Sequence, residues 1–202
     1  MAIPPRAELS SFQQRKRTAI LEGARRVFLV SGFGSATMDD VAAAAGVGKQ
    51  TLYRHFGSKE ALFLGLVETM CAEAARTAGA GEAADAQTVS VEDELRAFGR
   101  LFATELTTPD SLRFYRAIVA ESERLPELGA LFYENGPQLA RRIAARILRR
   151  QFDEKTASLR ASTFISVLLG DAHLELTLGY APTSLKARLE KQLEEAMQAA
   201  LR

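Results

Sequence analysis

The sequence predicts an all-α fold in two parts, and three observations carry that reading. Apolar residues recur at spacings of three and four throughout, no segment of useful length alternates apolar and polar residues as a strand does, and glycines or prolines punctuate the periodic runs. A chain of 202 residues, 47% hydrophobic and 25% charged, is long enough for a small domain joined to a larger one with its own core. The expected division is a three-helix head over residues 10–57 and a helical body over 58–202.

The first helix is expected over residues 12–31, with Ile20, Ala24, Val27 and Phe28 on one face and Arg15, Lys16, Arg25 and Arg26 largely elsewhere; Gly32 and Gly34 end it. Thr37 followed by Asp40 reads as a capping box, in which the hydroxyl satisfies an orphan helix N–H and the acids favour the positive helix end. A short helix follows over 38–45, Gly46 breaks it, and a second short helix runs over 49–56 until Gly57. Ser58 then caps a longer helix to about Arg76, carrying Leu62, Phe63, Leu66, Val67 and Met70.

Residues 77–87 are rich in Ala and Gly and read as a surface connection. Beyond it, Ser90 with Asp93 caps a helix bearing Leu95, Phe98, Leu101 and Phe102. Pro109 sits where a first-turn proline is tolerated, and Phe114, Ile118 and Val119 give the next helix its apolar side. Residues 126–136 form a partial helix or turn, and a basic helix is expected over 137–152. Two final helices, 155–178 and 184–201, are separated by Gly179, Tyr180, Ala181 and Pro182.

The formal net charge of +1 conceals an asymmetry. Residues 1–60 hold nine Lys and Arg against five acids, a net +4, and the remaining 17 bases and 20 acids leave the rest at −3. A basic head on a mildly acidic body points to a polyanion at the head, with a solvated helix face as the other reading. No apolar run approaches the length of a membrane span, and residues 1–6 show no secretory pattern, so a cytoplasmic location without membrane association is expected. Cys71 is expected in the core; with His55 and His173 as the two histidines, no metal site and no cofactor are expected.

The segment from Met38 to Gly57 has the residue pattern of a helix-turn-helix. Ala42 permits close helix approach, Gly46 can adopt the positive φ of the tight turn, and Val41, Val47 and Leu52 seal the small core between the helices. Lys49, Gln50, Thr51, Tyr53, Arg54 and His55 are left on the open side of the second helix, which in such motifs lies in the major groove. Lys and Gln can pair with guanine and adenine edges, and Thr with a thymine methyl or a phosphate. Tyr53 and His55 can donate to backbone oxygens or simply pack, and Arg54 can be solvated. Thr37 and Lys59 flank the helix and suit phosphates, which set register without reading sequence.

Ile20, Ala24, Phe28, Gly32, Thr37, Val41, Ala42, Ala45, Gly46, Val47, Thr51, Leu52, Tyr53, His55, Phe56, Lys59, Glu60 and Leu62 together make the stretch 20–62 resemble the DNA-binding head of the TetR family of regulators. The resemblance implies DNA contacts by Thr37, Lys49, Gln50, Thr51, Tyr53, His55 and Lys59, and a ligand-responsive homodimer. It further implies that a small apolar or amphipathic effector shifts the helix beginning at Ser58 and releases a near-palindromic operator. The last two helices would then form the four-helix dimer interface. Gly48 departs from the family's usual Ser, a change that loosens the cap by a few tenths of a kcal/mol at most. Residues 109–137 resemble the AefR-type C-terminal regions.

Other signals carry less. Phe98, Phe102, Phe114, Tyr115, Ile118, Phe132 and Tyr133 line an effector pocket or are ordinary core, and helical spacing favours core for most. Asp171 and His173 lie two apart and do not share a helix face, and no nucleophile, base and orienter stand at recognisable spacing, so no catalytic residue and no enzyme are expected. Arg141, Arg142, Arg149 and Arg150 read as a solvated face. Gly32-Phe33-Gly34 and Gly48-Lys49 fail as dinucleotide and phosphate-loop motifs. The rival reading is a helical small-molecule-binding or interaction protein without specific DNA binding.

Overall fold

The computed structural model describes residues 10–77, 89–180 and 183–202. Among them run ten α-helices: α1 (Ser11–Ser35), α2 (Met38–Ala45), α3 (Lys49–Phe56), α4 (Lys59–Thr77), α5 (Val91–Leu106), α6 (Pro109–Glu121), α7 (Pro126–Asn135), α8 (Pro137–Leu148), α9 (Glu154–Thr177) and α10 (Leu185–Leu201). The described residues contain no strand, and no helix among them is long and apolar enough to cross a membrane. Residues 1–6, the expected connection beyond Thr77, and Ala181 and Pro182 of the last break lie outside the described residues.

Local chemistry sets most helix ends. Ser10 and Gln13 form a reciprocal capping box at the start of α1, one residue earlier than expected. Gly32 does leave helical geometry, at φ 72°, but the chain resumes one further turn to Ser35. The glycine is therefore a kink, because the Ala36 N–H still reaches the Gly32 carbonyl at 3.2 Å. The stretch 126–136 is a full helix, α7, closed by the Gly136 N–H on the Phe132 carbonyl. The basic helix α8 stops at Leu148 rather than 152: the N–H groups of Gln151 and Phe152 both turn back to the Leu148 carbonyl, and Asp153 caps α9 through the Thr156 N–H.

The chain divides into two compact units, one of residues up to Met70 with Ala117–Leu131, the other of Cys71–Arg116 with Phe132–Arg202. The first contains the whole expected head and adds residues 58–70 and Ala117–Leu131. Its core includes Ile20, Phe28, Val41, Leu52, Phe56, Leu62 and Val67, and an aromatic trio in which Phe33 stacks on Phe63 at 4.7 Å while Phe28 meets the edge of Phe63 at 5.3 Å. Arg124 lies over the Phe33 ring at 5.3 Å and reaches Glu60 at 3.7 Å.

The second unit packs α5, α8, α9 and α10 around Leu95, Phe98, Ala144, Leu148, Phe164, Ile165, Leu193 and Met197. Ion pairs of Arg96 with Glu194 and of Arg100 with Glu190 tie α5 to α10 along the solvent edge. Within α9, Gly170 breaks the helix, and the Gln192 side-chain amide of α10 donates to the carbonyls of Val167 and Leu168, each at 2.9 Å. Those carbonyls are the ones a break at Gly170 strips of helical partners. Cys71 is buried as expected, and desolvation pushes its thiol up to about 11, which leaves it an inert thiol at neutral pH.

Candidate nucleic-acid interface

The turn between α2 and α3 is built as its residues dictate. Gly46 sits at φ 64°, ψ 33°, the left-handed region where a Cβ is costly, and the Val47 N–H closes back on the Ala42 carbonyl at 3.0 Å. Gly48 caps α3 through its backbone alone, accepting from the N–H groups of Thr51 and Leu52. Leu52 and Phe56, one turn apart, are buried and fix the inward face of α3. Lys49, Gln50, Tyr53 and Arg54 are consequently exposed, Thr51 is partly exposed, and His55 is half-buried.

The close approach of α1 and α2 depends on a residue that the periodicity did not single out. A Cβ on Gly23 would lie 2.8 Å from the Ala45 Cβ and 2.9 Å from the Ala45 backbone nitrogen. Ala42, expected to admit α3 against α2, is buried, and Gly23 separately sets how near α2 comes to α1.

Several expected contacts are engaged within the chain. The Thr37 hydroxyl accepts from the Asp40 N–H at 3.1 Å and donates to Asp40 Oδ2 at 2.6 Å, while the Thr37 N–H also donates to Asp40. These bonds to Thr37 hold the Asp40 carboxyl below its usual range. Lys59 does not point outward: its Nζ donates to the carbonyls of Phe33 at 2.8 Å, Ala36 at 3.0 Å and Gly34 at 3.3 Å, with the ammonium 4.5 Å from the Phe33 ring. In the free chain Lys59 thus caps the end of α1, where unpaired carbonyls and the negative helix pole attract a cation.

Lys49, at the first position of α3, pairs with Asp39 at the second position of α2, its Nζ 2.8 Å from Oδ1 and 3.0 Å from Oδ2. The hydrogen bond and charge of Asp39 raise the Lys49 pKa, so the ammonium stays charged. His55 buries its Nε2 without a hydrogen-bond partner, and desolvation, followed by the charges of Arg54, Arg17 and Lys16, lowers its pKa. Arg17 itself covers the Phe56 ring at 4.6 Å.

The residues expected at an effector pocket are divided between the two units. Phe98 is buried in the second unit's core with Phe102 stacked on it at 5.9 Å, Phe114 is buried, and Ile118 is buried in the first unit. Tyr133 is exposed and lies beside Arg141. Tyr115 does meet Phe132 at 5.8 Å, and its other neighbour is His173, edge-on at 4.9 Å, a residue the sequence reading set aside. Among the described residues no His, Cys, Asp and Glu side chains gather as a metal-binding group.

The sequence matches two family descriptions, "Bacterial regulatory proteins, tetR family" over residues 20–66 and "AefR-like transcriptional repressor, C-terminal domain" over residues 93–202. The chain is 43% identical over 61 residues to the HTH-type transcriptional repressor AcnR of Corynebacterium efficiens; the alignment covers 30% of this chain and 32% of AcnR, so it spans about a third of that relative's length. A TetR-family transcriptional regulator from Mesorhizobium loti, solved as a crystal structure, superposes with a TM-score of 0.85 at 25% identity, covering 95% of this chain and 98% of that one. The flavonoid-responsive regulator FrrA superposes at 0.70 with 32% identity, over 93% and 95% of the two chains. The second family description alone spans more than half of the sequence, and with the α2–α3 geometry and the full-length likenesses it places the chain in the TetR family of bacterial transcriptional regulators, a non-enzymatic role.

Proposed function

We propose that this chain is a homodimeric, ligand-responsive repressor that binds a near-palindromic operator in the cytoplasm and leaves it when a small apolar or amphipathic effector binds the body. The observation that carries the DNA-binding half is α3 itself. Leu52 and Phe56 anchor it inward, and Lys49, Gln50, Tyr53 and Arg54 form an exposed polar face behind a glycine turn. Lys49 and Gln50 are the base readers, with Thr51 beside them; Tyr53, Arg54, His55 and Thr37 serve phosphates. Thr37 joins them only by exchanging its Asp40 partner.

Dimerisation through α9 and α10 is supported by α9 and its C-cap, which leave Leu159, Leu174 and Leu178 exposed at 69%, 56% and 76%. Three exposed leucines on this element and its C-cap are an apolar cost for a lone chain and suit a second copy, each subunit then presenting one α3 to a half-site. Effector response is supported by the cluster of Tyr115, Phe132 and His173, an aromatic group with a phenol hydroxyl and an imidazole. The effector need only favour an α4 position whose head spacing misfits the operator.

The test is in vitro selection of duplexes from random-sequence DNA with the full-length chain, followed by salt-dependent binding of the selected duplex. Lys49→Ala and Thr51→Ala are expected to weaken that binding. If neither does, α3 does not read DNA, and the chain is a helical interaction protein instead.

A further inference from the structure

We infer that Asp39 is a positioning residue that sets DNA-binding specificity by holding Lys49 away from the phosphates of arbitrary DNA. The inference rests on the reading of α3 as the recognition helix. Both side chains are well exposed, at 59% and 65%; Asp39 favours the positive end of α2 as any first-turn acid does, and its neighbour Asp40 serves the capping box, so neither role calls for the contact with Lys49. Their pairing crosses the α2–α3 turn and is held by both carboxylate oxygens.

On any duplex, an unpaired lysine at this position adds one charge to the counterion-releasing face and tightens binding without reading sequence. Paired with Asp39, the same ammonium adds no net charge there. It becomes available only where a better acceptor than the carboxylate stands in register, such as the O6 and N7 edge of a guanine. An exposed ion pair is weak enough to be exchanged in this way. Asp39 therefore lowers affinity for all DNA, and lowers it most where the pair stays closed.

The experiment uses the full-length chain, the duplex recovered by selection, and a shuffled duplex of equal length. Asp39→Asn should bind the selected duplex about two- to fivefold tighter. It should gain more on the shuffled duplex, with the slope of log affinity against log salt there steeper by about one. Asp39→Glu should keep wild-type behaviour, and Lys49→Ala in the Asp39→Asn background should cancel the gain. A thermal melt of Asp39→Asn checks that folding is intact. No tightening on the shuffled duplex, or an equal or larger gain on the selected one, overturns the inference. If neither Lys49→Ala nor Thr51→Ala weakens binding to the selected duplex, the recognition-helix reading fails and this inference with it; if Thr51→Ala weakens binding while Lys49→Ala does not, or Lys49→Ala weakens it while Asp39→Asn does not tighten it, only this inference fails.

Discussion

Gly23 in the head and Gly99 in the body stand at tight helix contacts of similar distance, yet they face different kinds of neighbour. A Cβ on Gly23 would meet Ala45 at its Cβ, its backbone nitrogen at 2.9 Å and its Cα at 3.0 Å. A Cβ on Gly99 would meet the ends of side chains, Leu193 Cδ1 at 2.7 Å and Phe164 Cζ at 2.8 Å. Backbone cannot yield without moving a helix, whereas side-chain ends can change rotamer. The Gly23 contact thus holds α2 against α1 through backbone, whereas the Gly99 contact rests on side-chain ends.

That contrast can be broken in order of expected effect. Gly23→Ala should cost about 3 kcal/mol and abolish binding to the selected duplex, since α2 must move away from α1; urea denaturation followed by circular dichroism, with a binding assay, measures both. Gly99→Ala should cost less, about 1–2 kcal/mol, and leave DNA binding intact. In combination with Leu193→Ala its effect should be well below the sum of the two single changes, because the smaller side chain vacates the contested space. Equal losses at the two glycines, or no coupling to Leu193, would remove the distinction between rigid and repacking contacts.

Lys59→Met should cost about 1–2 kcal/mol by leaving the carbonyls of Phe33, Gly34 and Ala36 without their cation. A methionine that melts like wild type would return Lys59 to the role of a solvent-facing phosphate ligand. The two units also share an acid sensitivity. Burial lowers the pKa of His173, and burial with nearby cations lowers that of His55, below the ordinary value of 6.5. A histidine whose folded pKa is depressed contributes stability in full above about 6.5, lost as pH falls from there through the folded value, because the unfolded chain takes up the proton first. The Tm should therefore fall between about pH 7 and about pH 5, and His173→Gln should shrink that fall. A Tm that rises on acidification contradicts the burial of both rings. Smallest of all, Gly48→Ser should raise stability by roughly a few tenths of a kcal/mol by giving α3 the side-chain cap it lacks.

How much could be read in advance differs between the same two regions. The bounds of α2 and α3 follow from Thr37 with Asp40, Gly46, Gly48 and Gly57, all within one or two turns of the groups they satisfy. The inward pair Leu52 and Phe56 follows from helical spacing, and so does the exposure of Lys49, Gln50, Tyr53 and Arg54. In the body, the pairing of α5 with α10 brings Arg96 to Glu194 and Arg100 to Glu190 across some ninety residues, where no periodicity links the partners. The aromatic residues illustrate the same limit: six were equivalent by composition and spacing, and packing brought Tyr115 to Phe132 and to His173.

The sequence by itself determined where helices begin and end and which side of α3 is open, because capping and amphipathic burial act between residues a turn apart. Only the tertiary structure decided that Lys59 curls back over Phe33, that Asp39 holds Lys49, that His55 is half-buried beside three cations, and that Gly23 sets the approach of α2 to α1. A long polar side chain carries the same local signature whether it reaches solvent or a carbonyl. Its partner is chosen by which distant element packs within its reach.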